Sequence, residues 1–98
     1  MEMFVITVKF VTNEVDTTKF KNRVLKQAQD SLKFEDECHI FDVCHDPDDK
    51  HVVFLYEIYT DKKAFDIHLK SKHYNAFNEE VTPWVKEKIV NQLIKQKL

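Results

Sequence analysis

Two side chains in this sequence could share a proton-transfer task. Glu57 lies near the end of an apolar, aromatic run, Phe54-Leu55-Tyr56-Glu57-Ile58-Tyr59, and His68 follows eleven residues on, past Thr60-Asp61. A carboxyl group among aromatic and aliphatic neighbours loses hydration, so its charged form is disfavoured and its pKa rises toward neutrality. A base poised near neutral pH suits removal of a proton from a phenol or from a carbon next to a carbonyl. An imidazole titrates in the same range and can orient such a base or return the proton. The plainer alternative is a carboxyl bonded to His68 or to the backbone for structure alone.

These two groups need a strand, a turn and a helix to bring them together. Residues 54–59 end a strand that starts at Val52, and Asp61 is an N-cap for a helix over residues 62–70. On that helix His68 shares a face with Ala64, with Phe65 and Leu69 beside it. Ser71 caps a further short helix, with Tyr74, Phe77 and Val81 inward. Thr82-Pro83 closes it, because the residue before proline avoids the helical region. His73 and Tyr74 then stand where they could cover a pocket. Tyr56, Tyr59, Phe65 and Phe77 supply aromatic lining for a planar ligand.

Upstream, Phe4, Ile6, Val8 and Phe10 alternate with Val5, Thr7 and Lys9, which predicts a strand over 3–11. Residues 17–33 predict a helix with Phe20, Val24, Ala28 and Leu32 as its apolar stripe and Leu25 beside it. Lys19, Lys21, Arg23, Lys26 and Asp30 form its solvated face, and Glu35-Asp36-Glu37 is an acidic break. Residues 38–45 predict a second strand. The Asp46-Pro47 turn over 46–50 joins it to the third as an antiparallel hairpin. The tail is ambiguous. Val85, Ile89, Val90, Leu93 and Ile94 fit a helical stripe better than they fit alternation. As a strand, it would complete the β-α-β-β-α-β plan of a ferredoxin-like α+β fold. Helices on one face would then leave an apolar sheet face bare, and a second copy of the chain could cover it.

The 98 residues predict one domain, 1–98, and the net charge of -2 excludes the basic footprint of a nucleic-acid or anionic-membrane binder. There is no glycine, which excludes the Gly-rich phosphate loops and the Gly-containing RNA-binding signature. No signal peptide or spanning run is evident, so a cytoplasmic protein with reduced thiols is expected. Regular alternation would put Cys38 and Cys44 on one face, roughly 20 Å apart at about 3.3 Å per residue, too far to pair. His39, His45 and His51 fall at strand ends and are expected at the surface. His68 and His73 are five apart, not four as in a metal-binding helix pair, and no metal is expected.

The segments Cys38-His39-Ile40-Phe41-Asp42-Val43, Asp46-Pro47 and Phe54–Tyr59, followed by Asp61, Ala64, His68, Ser71, His73-Tyr74 and Phe77, resemble the antibiotic biosynthesis monooxygenase family. The likeness runs from about Val5 to Val90 and is densest over 38–77. It implies a ferredoxin-like unit that pairs into a dimeric α/β barrel, with the tail as a strand, which overrules the helical pattern there. It implies a cofactor-free monooxygenase acting on a small quinol or enolisable substrate with O2, with Glu57 as base and His68 as acid or orienter. An isomerase of a small phosphorylated or hydroxy-ketone metabolite, or a non-catalytic ligand-binding module, is the alternative. The haem-degrading branch looks different, with an Asn on the first strand and a Trp on the second helix, and both are missing here. The family's polar residue on the first helix falls at Ala28 or Gln29. Only Gln29 could hydrogen-bond, and Glu37 replaces the usual glycine before the cysteine.

Overall fold

A computed structural model of the protein describes residues 2–98. The chain runs β1 (Met3–Thr12), α1 (Thr17–Phe34), β2 (Cys38–His45), β3 (Val52–Tyr59), α2 (Lys62–Lys70), α3 (Lys72–Val81) and β4 (Val85–Lys95), with short 3-10 turns before α1 and before β4. The strands form one antiparallel sheet in the order β2-β3-β1-β4. This is the ferredoxin-like arrangement, with α1, α2 and α3 on one face.

Alternation along the strands sets the core. Phe4, Ile6, Val8 and Phe10 of β1 lie opposite Tyr59, Glu57, Leu55 and Val53 of β3, and all eight face the helices. Phe20 and Val24 of α1 and Phe77 and Val81 of α3 close over them, with Phe20 4.9 Å from Phe10 between ring centroids. Burying Phe20 completely contributes roughly 1.5–3 kcal/mol. The stripe on α1 is rotated from the one that spacing predicts. Gln27 and Ser31 turn inward with Ala28, while Leu25 and Leu32 are about half exposed. Fourfold spacing over several turns drifts off a straight helix face, and tertiary packing selects which residues are covered.

One expectation holds and one is corrected. The tail is a strand, β4, as the family resemblance implies and against its helical spacing, because β1 offers it a ladder from Met3↔Lys95 to Thr12↔Val85 with one irregularity at Val11/Thr12. The two cysteines do not share a face. An irregular register between Cys38 and Ile40 shifts the alternation, so Cys38 enters the core and Cys44 is exposed on the other side. Burial and the nearby carboxylates of Glu35 and Glu57 push the Cys38 thiol up to about 12.

Local caps fix the helical corner that matters below. The Ala64 N–H donates to Asp61 Oδ1 at 2.8 Å and starts α2. Ser71 ends α2 and starts α3, since its hydroxyl donates to the His68 carbonyl at 2.7 Å and accepts from the Tyr74 N–H at 3.2 Å. The chain turns sharply at Ser71, so His68 before the corner and His73 after it converge, with ring centroids 5.8 Å apart.

Candidate active site

Glu57 sits in the middle of the sheet, between Ile6 of β1 and Phe41 of β2, and is 3% exposed. Two residues on, and therefore on the same face, the fully buried Tyr59 donates its hydroxyl to Glu57 Oε1 at 2.6 Å. Burial raises the Glu57 carboxyl to about 7, partly offset by the Tyr59 hydrogen bond and by the nearby His68 and Lys88. The Tyr59 phenol is pushed strongly up by burial and by Glu57, so it stays a donor at neutral pH.

His68 is 2% exposed and ringed by aromatics: Tyr74 at 5.0 Å, Tyr59 at 5.3 Å and the stacked Phe65 at 6.1 Å between centroids. Its Nδ1–H donates to Glu35 Oε2 at 2.7 Å. Nε2 has no hydrogen-bond partner among the described residues, and His68 lines a cavity between sheet and helices. A carboxylate on Nδ1 fixes the ring and the tautomer, leaving Nε2 as the unprotonated nitrogen.

The cavity holds about 200 Å³. Its polar lining is Glu57, His68, Gln27, Tyr74, Lys88 and Gln92, and aliphatic and aromatic side chains such as Ile6, Val8, Phe41 and Phe77 form the remainder. A small, mostly apolar space with a few convergent polar groups fits a planar ligand. Lys88 reaches over from β4 and donates to the Tyr74 hydroxyl at 3.4 Å, with its Nζ 5.7 Å from the Phe10 ring centroid.

Of the residues singled out from sequence, Glu57, His68, Phe65, Tyr74 and Phe77 line this cavity. Tyr59 lies behind the wall as the partner of Glu57. Tyr56 pairs with Thr7 and Asp42 on the opposite face of the sheet, so it cannot reach the cavity; period-two alternation dictates this once Glu57 points inward. Gln29 is exposed, and Gln27, half a turn earlier on α1, is the buried amide on the cavity wall. The rotated stripe of α1 is the cause. His73 stands beside the cavity, its Nδ1 3.2 Å from Gln27 Nε2 and its Nε2 2.7 Å from Glu35 Oε2. His39 and His45 are exposed, whereas His51 is half-buried, with Nδ1 2.7 Å from the Thr17 hydroxyl that ties the hairpin to α1.

Glu35, Gln27 and Lys88 are the residues that sequence reasoning passed over. Glu35 is the C-cap of α1 and reads as part of an acidic break. No local spacing connects it to His68, thirty-three positions away. Gln27 needed the true inward face of α1, and Lys88 needed the tail to be a strand. The ligand atoms of Glu35, His68 and His73 all lie within 4.8 Å of one another, which makes them the group best able to hold a cation.

The sequence pattern of the antibiotic biosynthesis monooxygenase (ABM) family matches residues 3–80. The sequence matches no curated protein. Among solved structures, a Nitrosomonas europaea protein provisionally named an antibiotic biosynthesis monooxygenase is 26% identical, with a TM-score of 0.87 over 98% of this chain and 90% of that one. A Caulobacter crescentus protein with the same provisional name superposes with a TM-score of 0.92 over 97% of this chain and 91% of that one, at 14% identity. A conserved protein from Methanosarcina mazei gives 0.87 over 98% and 95%, at 18% identity. The last two likenesses speak to the fold alone. The family match extends from the first residue of β1 to the end of α3 and takes in Glu57, His68 and the corner at Ser71, and on that ground the chain belongs to the antibiotic biosynthesis monooxygenase family.

Proposed function

We propose that this chain is a cofactor-independent monooxygenase that acts on a small quinol-type or enolisable aromatic substrate by proton abstraction. The observation that carries the reading is Glu57: a buried carboxyl on the wall of an apolar cavity, raised to about 7, with only one oxygen engaged by Tyr59. Near neutral pH such a group divides between its acid and base forms, the condition for efficient general-base catalysis.

Glu57 takes the proton from the phenol, or from the carbon beside a carbonyl. His68 Nε2 and the Gln27 amide lie on the same cavity, where they can bind the developing oxyanion. The electron-rich anion passes one electron to O2, and the resulting superoxide recombines with the substrate radical to form a C–O bond. Loss of water from that peroxide converts a CH2 carbon to a carbonyl. One oxygen atom enters the product and the other leaves as water, so the substrate supplies all four electrons.

Isomerisation would begin with the same proton removal. Lys88 is the one lysine on the cavity wall and no arginine joins it, which favours a planar, weakly charged substrate over a phosphorylated one. The bare sheet face supports a second copy as partner. Ile40, Phe54, Ile89 and Leu93 stand 36%, 38%, 43% and 51% exposed on it, on β2, β3 and β4.

Oxygen uptake with 1,4-dihydroxynaphthalene, corrected for its spontaneous oxidation, tests the reading. Wild-type protein should consume O2 in proportion to quinol, and Glu57→Gln should be slower by about 10² or more. Equal rates in the two proteins would remove Glu57 from the mechanism. Tight binding of the quinol without O2 uptake would instead make the chain a ligand-binding module.

A further inference from the structure

Beside the cavity, three elements end on one spot. Glu35 closes α1, His68 lies near the end of α2, and His73 stands in the first turn of α3. Glu35 Oε2 is 2.7 Å from His68 Nδ1 and 2.7 Å from His73 Nε2. The side chains are 10%, 3% and 14% exposed, so the cluster is largely withdrawn from water.

We propose that Glu35, His68 and His73 form a binding site for a divalent first-row transition metal, with two imidazole nitrogens and one carboxylate oxygen as ligands. This donor set suits zinc, iron(II) or cobalt(II) and leaves further positions for water. Metal–ligand bonds of about 2.0–2.2 Å place neighbouring ligand atoms roughly 2.8–3.1 Å apart in octahedral and roughly 3.3–3.6 Å apart in tetrahedral geometry. The Glu35 oxygen stands closer than that to each imidazole nitrogen, and all three ligand atoms lie within 4.8 Å of one another, so an outward rotation of the side chains admits an ion. Two neutral imidazoles and one carboxylate leave the ion a single net positive charge to be balanced by a hydroxide or an anionic ligand.

The surrounding polar groups point the same way. The buried Nε2 of His73 lies close to Glu35 but makes no aligned hydrogen bond, and the buried Oε1 of Gln27 also lacks a partner. The Gln27 amide lies 3.2 Å from His73 Nδ1. Half a turn of that amide lets Oε1 accept from the His73 Nδ1–H, which satisfies the oxygen and leaves the Nε2 lone pair facing Glu35. A metal-bound histidine characteristically donates its other N–H to a carbonyl in this manner. A lone pair directed at a carboxylate is repulsive unless a cation lies between them, and a divalent ion supplies one. On His68 the ion would replace the Nδ1 proton now given to Glu35, and Nε2 would still face the cavity. The site therefore does not depend on the chemistry proposed for Glu57.

Sequence spacing passes over this site for a definite reason. A separation of five is wrong for two ligands on one helix, but Ser71 breaks the helix between them.

Titration of the metal-free protein with Co2+, followed by visible d–d absorption and by calorimetry, tests the proposal. One equivalent should bind, Zn2+ should displace it, and Glu35→Gln and His73→Ala should each weaken binding by 10-fold or more. His45→Gln, which alters an exposed histidine, should leave the affinity unchanged. Thermal melts establish that each variant is folded; should Glu35→Gln fail to fold, His73→Ala alone carries the comparison. Absence of Co2+ bands, or the same affinity in His73→Ala as in wild type, would overturn the site and leave Glu35 as a hydrogen-bonding anchor for two imidazoles. Metal binding and O2 uptake are separate readouts, so either proposal can fail without the other.

Discussion

The cavity has two unlike sides. Its floor is the β3 side, where Glu57 and Tyr59 lie under α2 and α3 and are 3% and 0% exposed. Its rim is β4, where every residue from Lys86 to Lys95 is exposed and the ladder to β1 holds the strand in place. The floor is dry and over-determined by packing, so it can hold a carboxyl far from its ordinary pKa. The rim is wet, and its groups can change with little effect on the fold. In the proposed reaction the difference separates reactivity from access: the floor would set the proton chemistry, and the rim would set what enters.

Breaking the floor should have the largest effect. In Glu57→Gln the oxidation rate should fall by about 10²–10⁴. In the wild type the rate should rise with pH to a plateau, with a midpoint near the Glu57 value of about 7. A flat profile from pH 5 to 9 would contradict a base on the floor.

The same carboxyl should cost stability. Below pH about 4.5 it is protonated in both the folded and unfolded chain and costs nothing. As pH rises toward about 7 the unfolded chain releases the proton while the folded chain keeps it, so stability declines. Above that range the full cost remains, about 3 kcal/mol from the difference between the two pKa values. Glu57→Gln keeps an acceptor for Tyr59 without the charge. Urea denaturation should find it more stable than wild type at pH 8 and similar at pH 4; a smaller gap at pH 8 than at pH 4 would contradict the assignment.

The rim should respond differently. Leu93→Asp places a charge on the exposed sheet face and should weaken self-association at least tenfold, read as a lower mass by light scattering, while the monomer's fold is kept. A wild-type protein that is monomeric at all concentrations would remove the second copy. Lys88→Met should have the smallest effect. It removes a cation that lowers the Glu57 pKa, so the midpoint of the rate profile should move to higher pH with stability changed by no more than about 0.5 kcal/mol. A midpoint shift to lower pH would show that Lys88 does not act on the floor.

The same contrast explains what was legible in the sequence. The core faces of β1 and β3, the hairpin at Asp46-Pro47, and the caps at Asp61 and Ser71 all follow from short-range rules, and the structure keeps each of them. Glu57 and His68 stood out because an acid and an imidazole are conspicuous in apolar surroundings. Tyr56 was misplaced because an aromatic residue next to an inward carboxyl must point to the other face. The family's polar position on α1 falls at Ala28 or Gln29 by sequence, whereas packing turns Gln27 to the cavity. The tail's own spacing points to a helix and the family resemblance to a strand, and the ladder with β1 agrees with the resemblance.

Composition, alternation and capping by themselves determined the order of elements through α3, the apolar face of the sheet and the acid–imidazole pair. These depend on neighbours within a few positions, where the physics of a strand or a helix turn is self-contained. Only the tertiary structure decided that Tyr59 supports Glu57, that Lys88 reaches over from β4, and that Glu35 gathers His68 and His73. Those contacts join the ends of separate elements, and their geometry is set by packing the helices on the sheet.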